Sequence, residues 1–165
     1  MRSINCHIII TALALAFLST VACAADYMYW SSDFEHISLP NLSSRTQISE
    51  GSATVTLNTT GDAQIYADNT PGGPAELSCA TNDTLVTEYR LTFDGDGSSD
   101  TGGNATSYET YDSFLSTPAF ITYITDDNDV DVTLWVRASN RNDDEVADSG
   151  TYSATQTLTV SWVGP

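Results

Sequence analysis

A strict alternation near the carboxyl end constrains the fold more than any other feature of the sequence. The chain ends SGTYSATQTLTVSWVGP, and from residue 151 to residue 161 every second residue is Ser or Thr. The residues between and beside them are Tyr152, Ala154, Gln156, Leu158, Val160 and Trp162. Because successive side chains of a strand point to opposite faces, the pattern predicts a strand with one buried face. A glutamine on that face is unexpected, since a buried amide needs hydrogen-bond partners.

The same alternation recurs along the chain between clusters of Gly, Asn, Asp and Ser. No segment after residue 24 has a sustained helical period of 3.6 residues. Besides the terminal strand, we predict strands near residues 53–57, 63–67, 85–93, 108–115, 119–124 and 130–138. Short strands that each have one apolar face indicate an all-β fold, an immunoglobulin-like antiparallel β-sandwich of about seven strands.

The amino-terminal residues have the organisation of a secretory signal peptide. Arg2 precedes an apolar run over residues 8–18, and residues 22–24 read Ala-Cys-Ala, which is a small-residue cleavage pattern. The apolar run is shorter than the roughly 20 residues that a membrane-spanning helix needs. A membrane anchor and lipidation of Cys23 are the alternatives. We expect cleavage after Ala24 and export of the mature chain through the periplasm to the cell surface or the extracellular space, without membrane insertion.

Cleavage at that point divides the sequence into three parts. Residues 1–24 are the signal peptide, residues 25–50 an amino-terminal extension without clean alternation, and residues 51–165 the β-sandwich domain. This length suits a single core. Cys79 is the one cysteine after residue 24, so no internal disulfide is expected. Burial as a small apolar residue and an intermolecular bridge are the two interpretations of Cys79.

The charge of the chain argues against several classes of partner. The formal net charge is −17, and all 22 Asp and Glu residues lie after residue 24. Such a surface repels nucleic acid and anionic lipid. Because cations screen self-repulsion, the composition suits a salty environment or calcium.

Catalytic patterns are weak in this sequence. The one histidine after residue 24 is His36, and no nucleophile motif accompanies it. In so acidic a chain, no pair of carboxylates stands out as a glycosidase pair. We therefore predict that the protein is not an enzyme, and we rank an exported hydrolase last among its functions.

One acidic turn is a candidate calcium site. Asp94, Asp96 and Asp100 are separated by glycines and serines in the sequence DGDGSSD. Hard oxygen ligands on a tight turn resemble part of a calcium loop. No glutamate closes a twelve-residue loop, so an ordinary Asp/Gly turn is the alternative. We predict no required cofactor, with calcium as the one candidate.

The aromatic residues support a second functional hypothesis. Tyr27, Tyr29, Trp30 and Trp135 have side chains of the type that stacks on sugar rings, although core packing or a subunit contact would use them equally well. The alternative function is thus a monomeric secreted carbohydrate-binding or adhesive β-sandwich module, with calcium as a candidate stabiliser.

The terminal stretch resembles the carboxyl strand of bacterial chaperone–usher pilins and of the related spore coat U-type secreted domains. The matches are the Gly-Thr-Tyr start, two apolar positions and the terminal aromatic: Gly150, Thr151, Tyr152, Leu158, Val160 and Trp162. The resemblance is concentrated in residues 130–162. Gln156 departs from it, since an apolar residue is usual there, and the internal disulfide of many such subunits is absent.

The resemblance implies a structural subunit of a surface fibre or fimbrium that functions in adhesion. In such subunits a groove borders the last strand, and the amino-terminal extension of the next subunit fills it as a donated strand. A periplasmic chaperone and an outer-membrane usher are implied as partners. The groove strand would carry Gly150, Tyr152, Ala154, Gln156, Leu158, Val160 and Trp162. The donor would be the strand with Ala53, Val55 and Leu57, or the aromatic segment 27–37. Independently of the family, an edge strand with an apolar face must be covered.

Overall fold

The computed structural model describes residues 26–68, 74–140 and 147–164 with their side chains, and the backbone of residues 5–13. This part of the chain contains ten strands and no helix. They are β1 (Asn5–Leu13), β2 (Met28–Trp30), β3 (Ile37–Leu39), β4 (Ile48–Thr59), β5 (Asp62–Ala67), β6 (Val86–Phe93), β7 (Glu109–Thr110), β8 (Ala119–Ile121), β9 (Asp129–Ser139) and β10 (Thr151–Gly164). The predicted all-β fold is confirmed, with ten strands instead of about seven.

The strands form two five-stranded sheets. The first sheet has the order β3-β1-β10-β5-β8, and the second has the order β2-β4-β9-β6-β7. Neighbouring strands are antiparallel except β1 and β10, which are parallel. Because β2 and β3 lie in different sheets, the chain crosses from the second sheet to the first within residues 31–36.

One hydrophobic core joins the two sheets. Leu91 of β6 and Leu134 of β9 are fully buried in the second sheet, as are Ile65 of β5 and Leu158 of β10 in the first. Each such side chain contributes about 1.5–3 kcal/mol through removal of apolar surface from water. The alternation of apolar and polar residues therefore places the inner face of every long strand on this shared core.

The segment before β4 contributes to the same core. Its buried residues are Met28, Trp30, Phe34, Ile37, Leu39 and Leu42. The sequence predicts an extension over residues 25–50, whereas the structure packs residues 28–42 against both sheets. β2 and β3 have three residues each, which is too short for a period of two to be recognised.

The prediction of a strand over residues 108–115 is wrong for most of that segment. Glu109–Thr110 pairs with β6 as β7, and residues 111–117 form turns and a bend. Phe114 and Leu115 are nevertheless buried, and Leu115 has a φ of 53°. Apolar residues that a turn buries give the same sequence signal as a short strand, which explains the error.

Candidate functional site

The Tyr152 hydroxyl anchors the start of β10. The side chain is fully buried, and its hydroxyl lies 2.9 Å from both Asp83 Oδ2 and the Asp148 carbonyl oxygen. Burial raises the pKa of Tyr152 well above its ordinary value, and the Asp83 carboxylate adds to this effect. The neutral hydroxyl thus connects the loop before β10 to the loop before β6. Gly150, two residues earlier, has ample room, since an added Cβ would meet only Cys79 Cβ, at 3.8 Å.

The inward face of β10 is buried along most of its length. The buried residues are Tyr152, Ala154, Gln156, Leu158 and Val160. Trp162 is half-buried and covers Gly61, where an added Cβ would lie 2.6 Å from the Trp162 Cη2 atom. The pairing with β5 shifts between Trp162 and Gly164. The regular strand therefore ends at Trp162, where the indole packs on a glycine.

The two edges of β10 have different neighbours. One edge pairs with β5, and the other pairs with β1 over nine residues, from Asn5↔Thr151 to Leu13↔Thr159. The far edge of β1 pairs with β3, from Cys6↔Leu39 to Ile8↔Ile37. We call the strand position between β3 and β10 in the first sheet, which β1 occupies, the slot. The slot is filled by residues of the predicted signal peptide.

Gln156 lies midway along the slot and is fully buried. Its Nε2 donates to the Thr157 carbonyl oxygen at 3.1 Å and to the Asp68 carbonyl oxygen at 3.5 Å. No described residue donates to its Oε1, and its register partner across the slot is Ile10. The amide is therefore half satisfied: its donor side has acceptors, and its acceptor side has no partner among the described residues.

The first candidate donor strand lies inside the second sheet. Ala53, Val55 and Leu57 belong to β4, which pairs with β9 over eleven positions, from Ile48↔Ser139 to Asn58↔Asp129. Val55 and Leu57 are buried in the core of their own chain. Donating β4 would break its pairing with both β2 and β9. The aromatic alternative begins at β2, which has three residues at the edge of the same sheet. The role of either segment as a donor stays a prediction.

Two of the three carboxylates in the acidic turn accept hydrogen bonds from the protein itself. Asp94 Oδ1 accepts a hydrogen bond from the Asp131 amide at 2.8 Å. Asp96 Oδ1 accepts from the Ser98 hydroxyl and amide, and these bonds lower the pKa of Asp96. Asp100 is exposed. Among the described residues, no group of three or more His, Cys, Asp and Glu side chains is arranged to hold a metal ion.

We expect EDTA to leave the melting temperature of the protein unchanged. A calcium ion bound at a hundred times its dissociation constant would contribute about 2.7 kcal/mol, which is readily visible in a thermal melt. Circular dichroism melts in excess calcium and in excess EDTA measure this difference. A fall of several degrees in EDTA would instead assign calcium to the protein, and Asp94→Asn would then locate the site.

The four aromatic residues considered for sugar binding do not form one surface. Tyr27 and Tyr29 are exposed, with ring centroids 5.7 Å apart. Trp30 is buried, 5.7 Å from the ring of Phe34. Trp135 lies half-buried on the outward face of β9 and donates from Nε1 to Thr92 Oγ1 at 2.9 Å. Two tyrosines thus remain as an exposed aromatic pair.

Trp135 belongs instead to a cluster that sequence reasoning missed. The arginine cluster consists of Glu88, Arg90, Tyr108, Trp135 and Arg137. The Arg90 guanidinium lies 4.7 Å from the Tyr108 ring centroid and 4.8 Å from that of Trp135, and the Arg137 guanidinium lies 4.2 Å from Tyr108. Arg137 Nε donates to Glu88 Oε2 at 2.8 Å. The register of β6 and β9 brings the cluster together, because it sets Glu88 opposite Arg137 and Arg90 opposite Trp135. Knowledge of this register would have been needed to predict the cluster.

No family model matches the chain, and no curated protein matches it. The described residues contain no helix long and apolar enough to cross a membrane. The interpretation of the slot therefore rests on the residues and geometry of this chain.

We expect the stability of the fold to decrease between about pH 10 and about pH 12. Burial raises the pKa of Tyr108 to about 12, and the nearby Glu50 carboxylate adds to this while Arg90 opposes it. The folded chain holds the phenolic proton more tightly than the unfolded chain, whose tyrosines titrate near pH 10. The stabilisation is thus complete below pH 10 and is lost as the pH rises through the folded pKa.

Thermal melts at several pH values, with the unmodified protein and Tyr108→Phe, measure this contribution. The variant should lose less stability than the unmodified protein over that range, because it has no phenol to ionise at this position. Identical pH profiles would contradict the assignment.

Proposed function

We propose that the chain is a secreted structural subunit of a surface fibre or pilus-like assembly that polymerises by β-strand complementation. The observation that carries the proposal is the position of β1. Residues 5–13 fill the slot between β3 and β10, and the sequence predicts that these residues are removed with the signal peptide. The exported chain would then have an open slot in its first sheet.

An open slot would be costly for an isolated subunit. Loss of β1 leaves one edge of β10 without main-chain partners over nine residues. It also uncovers the apolar side of a core to which Ala154 and Leu158 contribute. Unpaired edge strands of this kind add a strand from another chain, because main-chain hydrogen bonds and alternating side chains both gain partners. A neighbouring subunit is the partner that a fibre supplies.

The charge and composition agree with an exported subunit. The full sequence has a formal net charge of −17, and loss of Arg2 with the signal peptide makes the exported subunit one unit more negative. Isolated subunits therefore repel one another at a distance, and salt reduces this repulsion. Assembly should therefore be faster at moderate salt than at low salt. A periplasmic chaperone that holds the slot before assembly and an outer-membrane usher are part of this proposal, through the resemblance of the terminal strand.

The monomeric sugar-binding module is the second candidate, favoured by the exposed pair Tyr27 and Tyr29. The two candidates differ in one measurable property. A fibre subunit without its leader associates with itself, whereas a binding module remains monomeric and binds a glycan array through the two tyrosines. The loss of glycan binding in Tyr29→Ala would support the second function.

Size-exclusion chromatography with light scattering tests the proposed function. The protein exported from a bacterial host, with its amino terminus determined by mass spectrometry, should form multimers. An excess of a synthetic peptide with the sequence of residues 5–13 should fill the slot and reduce the multimers to monomers. A control peptide with Asp in place of Ile8 and Ile10 should leave them intact. A stable monomer in the absence of peptide would contradict the proposal.

A further inference from the structure

Two buried polar atoms on the inside of the sandwich lack partners. Four buried side-chain atoms have no hydrogen-bond partner among the described residues: Trp30 Nε1, Arg90 Nε, the Tyr108 hydroxyl oxygen and Gln156 Oε1. Arg90 and Tyr108 belong to the arginine cluster on the outward face. Trp30 is 8% exposed and Gln156 is 0% exposed, and both belong to the inside. One of these inside atoms is a donor and the other is an acceptor.

Buried polar atoms without a hydrogen-bond partner are rare in folded proteins, because burial removes the water that bonds to them in the unfolded chain. An unpaired buried acceptor lowers stability by its full desolvation penalty. The same holds for an unpaired donor such as an indole N–H. An arrangement that brings Trp30 Nε1 and Gln156 Oε1 together would satisfy both.

The segment that carries Trp30 is well placed to leave its own sheet. β2 has three residues and lies at the edge of the second sheet, where β4 is its one strand neighbour among the described residues, from Met28↔Thr59 to Trp30↔Leu57. It begins four residues after the predicted cleavage site at Ala24. In the exported chain β2 would therefore follow the free amino terminus directly, so its release breaks few backbone pairs.

The alternation of this segment matches the slot. With Trp30 at the position that Ile10 occupies beside Gln156, a parallel strand sets Met28 beside Ala154 and Phe34 beside Val160. An antiparallel strand sets Met28 beside Leu158 and Phe34 beside Tyr152. The period of two keeps Met28, Trp30 and Phe34 on the inward face in either direction, together with Ser32, the one polar residue on that face between residues 28 and 34. The three residues buried within their own chain would thus be buried again in the neighbour.

We propose that residues 27–34 of a second copy fill the slot, with the Trp30 indole N–H donating to Gln156 Oε1. This inference rests on the proposed function and adds the donor segment, its register and the role of the unusual glutamine. Gln156 is then the residue that sets the register, because a shift by two positions leaves both buried groups unpaired. Glu35 and His36 connect the donated segment to β3 of the donor, so neighbouring subunits lie in direct contact.

A double-mutant cycle in the exported protein tests this pairing. Trp30→Phe removes the donor, and Gln156→Met removes the acceptor at nearly constant volume. Each single variant leaves one buried polar group unpaired, so each should raise the dissociation constant for assembly about tenfold. The double variant contains neither group, so its dissociation constant should be no higher than that of the weaker single variant, about tenfold above the unmodified protein and not a hundredfold. Sedimentation velocity over a range of concentrations measures these constants.

Disulfide trapping tests the same contact without relying on affinity. In a Cys79→Ser background, a mixture of Trp30→Cys and Gln156→Cys subunits should form a cross-linked dimer on mild oxidation. A mixture of Tyr29→Cys and Gln156→Cys, with the first cysteine on the opposite face, should not. The absence of cross-linking in the first mixture would overturn the register.

The outcomes separate this inference from the proposed function. If the unmodified exported protein is a monomer, both are wrong. If it assembles but the effects of the two substitutions simply multiply to about a hundredfold, the pairing is wrong and strand complementation stands. A double variant that assembles no more weakly than the weaker single variant, together with the specific cross-link, supports the donor and its register.

Discussion

We expect Tyr152→Ala to lower the free energy of unfolding by about 3–5 kcal/mol, because truncation of a large buried aromatic residue leaves a cavity. Tyr152 is among the largest fully buried side chains of the protein. Its hydroxyl also lies 2.9 Å from Asp83 Oδ2 and from the Asp148 carbonyl oxygen. The substitution therefore removes both a core side chain and the connection between the loop before β10 and the loop before β6. Urea unfolding followed by circular dichroism measures the loss.

Tyr152→Phe is the matched control for this prediction. The ring remains and only the hydroxyl is lost, so the variant should lose about 1–3 kcal/mol, largely from the Asp83 carboxylate that no longer has this donor. Asp83 Oδ2 still accepts from the Asp148 amide. Equal stabilities of Tyr152→Ala and Tyr152→Phe would show that the ring contributes nothing to the core, in contradiction to its burial at the start of β10.

The second large effect is expected at Gly102, which follows the acidic turn of Asp94, Asp96 and Asp100 and packs against it. An added Cβ at Gly102 would overlap the carbonyl group of Gly95 and lie 2.6 Å from its Cα. The Gly103 amide donates to the Gly95 carbonyl oxygen at 3.1 Å, so the two backbones cannot separate without losing this bond. We expect Gly102→Ala to cost about 3 kcal/mol, at the upper end for overpacked sites.

Gly150→Ala provides the comparison for Gly102→Ala. Its added Cβ meets only Cys79 Cβ, at an ordinary 3.8 Å. The change should therefore be neutral within about 0.5 kcal/mol or slightly stabilising, since alanine reduces the freedom of the unfolded chain. Both variants can be measured by urea unfolding under the same conditions. Equal stabilities would show that the Gly95–Gly102 approach does not constrain the turn.

The glycines of this turn therefore have a structural explanation. The sequence pattern of Asp94, Asp96 and Asp100 is shared by calcium loops and by turns that bring two backbones together. Composition alone does not separate these cases, because both need small residues and oxygen acceptors. The contacts of Gly95 and Gly102 point to the close approach as the reason for the glycines.

The long strands could be predicted from sequence because each buries a single face. In β9 the residues Val132, Leu134 and Val136 are fully buried, and the residues between them are not. β6 follows the same rule with Tyr89 and Leu91. Over eight or more residues, such a pattern has no reasonable helical interpretation.

The short strands and the pairing of strands could not be predicted in this way. β2, β3 and β8 have three residues each, so they contain no more than two inward positions. The arginine cluster depends on the register between β6 and β9, which joins residues 49 positions apart along the chain, such as Glu88 and Arg137. Local patterns do not determine which strands become neighbours, since that depends on the whole core.

Gln156 is a polar residue on the otherwise apolar, buried face of β10. Alternation predicted an inward glutamine, and the structure places it at 0% exposure with only its Nε2 satisfied among the described residues. Departures from a local rule at an otherwise regular element are often functional. The position of this residue midway along the slot is the reason for assigning it to the contact between subunits.

Amide hydrogen exchange along β10 is the most direct test of the claim that a neighbour fills the slot. The measurement uses exported protein that mass spectrometry shows to lack residues 1–24. In the multimer, the amides of residues 151–159 that face the slot should be as protected as those of the central strand β9. In dilute monomer they should exchange about 100-fold faster or more, while β9 remains protected. Equal protection of residues 151–159 in monomer and multimer would show that a single chain closes its own slot, and would contradict the account.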